Sequence, residues 1–234
     1  MEPRDKKILR HVARYRVTLR RVLDERFFPS SSGCGNVLAR LLRTHYLLAR
    51  PGLPRRLRYY QLSAKGAGVV GAPQSRTAPF GAQALREALA ILWHCNLATQ
   101  PTGVVRRRRL EVSELERLTK ASMGSGPSPH LLEEAEGHRL FRVTVPSPST
   151  KASSIVRGAS IWMERTKRKA ELRPWLESGA YAFLILADSG REQEIRAATQ
   201  RARLPFTALV SSVPSPTSIG EALHEHRIPK GTRK

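Results

Sequence analysis

The chain is short of cysteine, short of acidic residues, and has no long apolar run. Its two cysteines in 234 residues, Cys34 and Cys95, stand far apart with no partner pattern. That excludes a disulfide framework and suggests a reducing compartment. The opening residues Met1-Glu2-Pro3-Arg4-Asp5 contain no apolar signal-peptide core. The longest apolar-rich window, Ala84 to Leu97, is interrupted by Arg86, Glu87 and His94, which leaves it too short and too polar to cross a bilayer. The expectation is a cytoplasmic protein with no membrane role. Acidic residues number 19 against 41 Lys and Arg, a formal net charge of +22. A field of that size favours a polyanionic partner, nucleic acid first and an anionic membrane surface as the rival.

Catalytic signatures are also missing. The chain has no GxSxG elbow, no Walker loop and no HExxH. Asp188-Ser189-Gly190 reads as a helix cap rather than a serine nucleophile. His94 and Cys95 are neighbours on a helix, so their side chains diverge by about 100°, and no further ligands follow at metal spacing. No catalytic residue, metal or cofactor is expected.

What the chain does contain is concentrated in its first 70 residues. Ile8, Leu9 and Val12 mark one apolar stripe at helical spacing over Asp5 to Tyr15. Thr18 is placed to cap a second helix carrying Leu19, Val22 and Leu23, which Pro29 ends. Ser30-Ser31-Ser32-Gly33 forms a turn. A third helix turns Val37, Leu38, Leu41 and Leu42 inward and leaves Asn36, Arg40 and Arg43 outward. Ser32 or a neighbour caps it. Asn can pair with adenine and Arg with guanine in a bidentate way, and Gly33 and Gly35 let backbone approach a phosphate at the helix start. A strand from Tyr46 to Ala49, the turn Pro51-Gly52-Leu53-Pro54 and a strand through Tyr59-Tyr60-Gln61-Leu62 make a hairpin. Arg55, Arg56 and Arg58 lie on its tip and flank, where a wing touches the phosphate backbone or minor groove.

Three short helices followed by a ribbon resemble a winged helix-turn-helix, a unit that puts its third helix into the DNA major groove. The run Tyr59-Tyr60-Gln61-Leu62-Ser63-Ala64-Lys65-Gly66 resembles the wing strand and following helix start of MarR-type and PadR-type regulators. It is similar also to the replication-relaxation family of mobile-element and plasmid proteins, in which a winged helix precedes an α/β domain. The resemblance covers residues 5 to 70. Gly66-Ala67-Gly68-Val69-Val70-Gly71 matches a dinucleotide fingerprint, but such a site needs a helix running on from the glycines, and Pro73 intervenes.

Residues 72 to 80 read as a hinge. Gln83 to Asn96 forms a helix that either packs on the first domain or makes a dimer contact. Arg106 to Arg109 reads equally as a second phosphate contact or as a solvated strand edge blunted by charge. Ser113-Glu114-Leu115-Glu116 is a capping box opening a short helix, and Met123 to Pro129 is a loop. Beyond it the pattern is α/β: an acidic turn at Glu133 to Gly137, a strand at Arg139 to Val145, a basic helix at Ser154 to Lys169, a buried strand at Tyr181 to Ala187, a helix at Glu192 to Ala202 and a strand at Phe206 to Val210. This half resembles the degenerate restriction-endonuclease-like domain of mobile-element proteins. The Asp of an active member falls here near His130 and its Glu-x-Lys near Val143-Thr144-Val145, so the resemblance implies a fold without its metal site.

The resulting expectation is an α+β chain. It has a winged helix at 1–72, a helical connector at 73–125, an α/β domain with a mixed sheet at 126–223 and a basic tail at 224–234. The function expected is non-catalytic binding of double-stranded DNA, as a transcriptional regulator or as an accessory factor for replication or mobilisation. Ser32, Asn36, Arg40, Arg43, Arg55, Arg56 and Arg58 are the contacting residues, and a homodimer and a replication or transfer protein are candidate partners. The alternatives are a divergent metal-dependent nuclease relying on Glu133, Glu134 and Glu136, and a protein-binding adaptor docking through Arg157 to Lys169.

Overall fold

Ile8, Leu9 and Val12 lie within two helical turns, and the helix α1 (Pro3–Tyr15) buries all three. Glu2 and Asp5 close a reciprocal capping box at its start, Pro3 occupies the first turn, and Arg16 ends it in the left-handed region at φ 67°. This belongs to a computed structural model that describes residues 1–29, 33–99, 106–122, 129–135 and 137–225. The chain divides into two units, Met1–Leu92 with Pro214–Lys234, and Trp93–Val213.

In the first unit α2 (Arg20–Phe27) and α3 (Cys34–Arg43) follow α1. Thr18 does not cap α2 as its residue type suggests. Leu19 holds the cap position without a side-chain bond, while Thr18 is fully buried and exchanges two 2.9 Å backbone hydrogen bonds with Tyr60. Its hydroxyl also lies 3.3 Å from His11 Nε2. The backbone of Thr18 is used to tie the hairpin to the helices, a long-range demand that a local capping rule does not register. The hairpin itself is β1 (Leu47–Arg50) against β2 (Tyr59–Leu62), antiparallel, with Leu47 opposite Leu62. Leu23, Leu38, Leu41, Leu47 and Leu62 join the α1 stripe in one core.

Ser63 then caps α4 (Ala64–Val70) by accepting from the Gly66 amide. Gly66 and Gly68 lie inside this helix instead of turning into it, and Gly71 ends it in left-handed backbone. A Cβ at Gly66 would sit 2.1 Å from the Tyr46 carbonyl oxygen, so that glycine serves close packing, not a phosphate. Next comes α5 (Ala82–Asn96), within which the division between the units falls.

The second unit is built on five strands in the order β3-β4-β5-β6-β7. β3 (Arg106–Arg109) is followed by α6 (Val112–Thr119), whose capping box runs from Glu111 to Glu114, two residues before the one read from Ser113. β4 (His130–Glu134) and β5 (His138–Thr144) complete an antiparallel half. α7 (Ala152–Lys167), α8 (Arg173–Glu177), β6 (Tyr181–Asp188), α9 (Glu192–Arg201) and β7 (Ala208–Val213) supply a parallel half. The chain is therefore mixed α+β with a five-stranded mixed sheet. The apolar run of β6 is buried from Tyr181 to Ala187, with Phe183, Ile185 and Ala187 packed in a core that includes Ala152, Ile155 and Ala159 of α7 and Ile195 of α9. A strand flanked on both sides by parallel neighbours is expected to be apolar throughout.

The acidic turn expected at Glu133 to Gly137 starts later than the composition suggests. Glu133 and Glu134 belong to β4, directly opposite Arg107 and Arg106 of β3. Opposite charges facing each other across an antiparallel pair stabilise it, which draws both glutamates into the strand. The chain ends its described part in α10 (Ile219–Glu225), which belongs to the first unit. Among the described residues no helix is long and apolar enough to cross a membrane.

Candidate nucleic-acid interface

The site reads outward from α3. Cys34, Leu38 and Leu41 are buried, which leaves Asn36, Ala39 and Arg43 exposed along one line of the helix. Burial pushes the Cys34 thiol up to about 12, helped by a hydrogen bond with Asp24, so it remains a neutral packing group. Arg40 does not stand outward beside Asn36 and Arg43. Its guanidinium turns onto α1, with 2.6 Å to Glu2 Oε1 and 2.8 Å to Asp5 Oδ1. The hydrogen bond and the charge of Arg40 hold the Glu2 carboxyl below its ordinary range. Asp5 is 4% exposed, so the pair joins α1 to α3 at a partly buried seam. Arg40 therefore ties α3 to the start of α1. Ser32 lies outside the described residues. The Arg20 side chain lies 3.5 Å from a Cβ built at Gly35, beside the first turn of α3.

The hairpin supplies the second group of cations. Leu53 is buried and anchors the tip, and the Leu57 amide donates to the Pro54 carbonyl at 3.1 Å. Between them Arg55 and Arg56 both take left-handed backbone, at φ 55° and 58°. Non-glycine residues adopt that region at a cost of roughly 1–2 kcal/mol each. Arg55, Arg56 and Arg58 are all exposed. Arg55 bonds Glu221 of α10 at 2.9 Å, with both side chains more than half exposed. Arg56 and Arg58 have no ion-pair partner among the described residues. A third cationic group was not legible in the sequence. Arg4 and Lys7 of α1 and Arg26 of α2 surround a hollow of about 460 Å³ beside Phe27. Their separation along the chain hides the cluster, and only helix packing assembles it.

The arginine strand β3 behaves otherwise. Arg107 is buried and bonds Glu133 at 3.0 Å, while Arg108 bonds Glu134 and Glu114, each at 2.9 Å. Arg106 to Arg109 form an edge strand of the sheet, with Arg107 buried instead of solvated as the strand-edge reading expected. The same pairs occupy Glu133 and Glu134, the proposed nuclease ligands, and Glu136 lies outside the described residues. Among the described residues no three His, Cys, Asp or Glu side chains gather as a metal group. His94 is buried with Nδ1 3.2 Å from Ser211 Oγ, and burial with the charge of Arg107 lowers it to about 3. His11 is lowered to about 3 by burial, then by Arg26 and Arg14. Both histidines are neutral core groups at ordinary pH.

Comparison with known proteins finds no matching family model, no matching curated protein and no matching solved structure.

Proposed function

We propose that the first unit is a winged helix-turn-helix and that the protein binds double-stranded DNA without catalysis, as a transcriptional regulator or as a replication or mobilisation factor. The observation that carries this reading is an exposed line of Asn36, Ala39 and Arg43 on a short helix, accompanied by a hairpin whose tip holds two arginines in left-handed backbone. Strained residues persist where the surrounding structure has a use for them, and here the strain spreads cations that have few carboxylates to meet. Asn36 and Arg43 are suited to base edges, and Ala39 offers a small apolar contact of the kind a thymine methyl accepts. Arg56 and Arg58 are suited to phosphates. Arg40 contributes by tying α3 to the start of α1 and is not itself a reading residue in this scheme.

The test is selection of bound oligonucleotides from a random duplex pool, followed by titration of the selected site at several salt concentrations. If about six phosphates are neutralised, the logarithmic salt slope is about −5. Arg43→Ala should lower the ratio of specific to non-specific affinity, whereas Arg56→Ala should weaken both alike. A palindromic site would indicate a homodimer and a single motif a monomer. Recovery of no enriched site, together with affinity indifferent to salt, would remove the reading.

A further inference from the structure

The second unit contains a hollow lined by none of the residues assigned above to DNA. It has a volume of about 400 Å³ and opens at the N-terminal ends of β6 and β7. Its walls are apolar: Met163 from the end of α7, Leu176 from α8, Tyr181 at the first position of β6, and Phe206 just before β7. Met163 and Tyr181 are fully buried members of the core, so this wall is preformed. The Tyr181 hydroxyl is engaged by His130 Nε2 at 2.9 Å and its ring is stacked on Trp162, so Tyr181 and Met163 form a closed floor, and the partly buried Leu176 and Phe206 packed on it are the apolar surface that the hollow offers.

Three charged side chains border the hollow, Lys167, Arg173 and Glu177. Lys167 is held by Glu164 at 2.9 Å. Arg173 and Glu177 are four residues apart at the two ends of α8, a spacing at which such side chains commonly pair. They form no pair here, and neither has another ion-pair partner among the described residues. One free cation and one free anion therefore stand together at the mouth of an apolar hollow of ligand size.

From this arrangement we propose that the hollow binds a small zwitterion with a bulky apolar group, of the chemical class of an aromatic or branched α-amino acid. Arg173 receives the carboxylate, Glu177 the ammonium group, and Leu176 and Phe206 contact the side chain above the floor of Met163 and Tyr181. The arrangement favours a zwitterion over molecules with a single charge, because each of the latter leaves one rim group without its counter-charge. The site is independent of the role given to α3, so its failure would leave the DNA-binding reading untouched.

Titration calorimetry of the full-length protein with L-phenylalanine and L-leucine tests the site, with phenethylamine and 3-phenylpropionate as analogues lacking one charge. One of the two amino acids should bind at a single saturable site, and each analogue of phenylalanine should bind about two- to fivefold more weakly, the loss of one exposed charge pair. Arg173→Gln should abolish the preference over phenethylamine, and Glu177→Gln the preference over 3-phenylpropionate. Both positions are exposed, so both variants should fold. Absence of saturable heat with both amino acids would overturn the proposal. So would equal binding of 3-phenylpropionate and phenylalanine, or substitutions that leave selectivity unchanged.

Discussion

Two arginine-rich stretches of this chain look alike in sequence and meet opposite fates. Arg55, Arg56 and Arg58 cluster on the hairpin, and Arg106 to Arg109 form β3. On the hairpin a single carboxylate, Glu221, reaches one of the three arginines. On β3 three glutamates, Glu114, Glu133 and Glu134, are spent on two. The acidic residues are few, and the sheet concentrates them where cations would otherwise be buried. A run of basic residues thus escapes ion pairing only where the fold withholds carboxylates from it.

Acid offers the largest perturbation of this contrast. His94 beside Arg107 and His11 beside Arg26 and Arg14 are both lowered to about 3 in the folded chain. An unfolded histidine titrates near 6.5, so the unfolded state binds more protons between those values. The stability that this linkage contributes is present above about pH 6.5 and is lost as pH falls toward 3, by up to about 1.4 kcal/mol per pH unit for each histidine. Urea unfolding followed across that range should show the decline, and His94→Gln should flatten it for the sheet unit. A flat profile in the parent protein would mean that neither histidine is buried as described.

Removal of one carboxylate comes next in size. Glu133→Ala leaves Arg107 buried without its main counter-charge, and a loss of about 3–5 kcal/mol is expected from chemical denaturation. Arg56→Ala, on the hairpin, should stay within about 0.5 kcal/mol. Equal losses would erase the distinction between the two runs. The smallest effect concerns DNA. Arg58→Ala should reduce the magnitude of the logarithmic salt slope by about 1, while Arg108→Ala, at a position held by Glu114 and Glu134, should leave it unchanged. A reduction from Arg108→Ala equal to that from Arg58→Ala would return β3 to the interface.

Much of the secondary structure was legible, because apolar periodicity survives without knowledge of partners. Ile8, Leu9 and Val12 indicate α1, and the run from Tyr181 to Ala187 indicates a fully buried strand. Errors gather where a side chain or backbone group had a distant claim on it. Thr18 is spelled as a cap yet serves β2 through its backbone. Ser113 looks like a helix start, yet Glu111 provides it. Glu133 and Glu134 look like turn residues until the arginines across the sheet are seen. In the candidate interface Asn36, Arg43, Arg56 and Arg58 could be named from pattern alone. The withdrawal of Arg40 to Glu2 and Asp5 could not, since its partners lie more than thirty residues away.

By itself the sequence determined the large basic excess, the absence of an apolar span among the residues read for one, and the succession of helices and strands, since each depends on composition or on neighbours within a few positions. Only the tertiary structure decided which cations stay exposed, which are neutralised, and that Arg173 and Glu177 border one apolar hollow. Electrostatic partnership is set by distance in space, and a chain that is poor in carboxylates has many ways to distribute them until folding selects one.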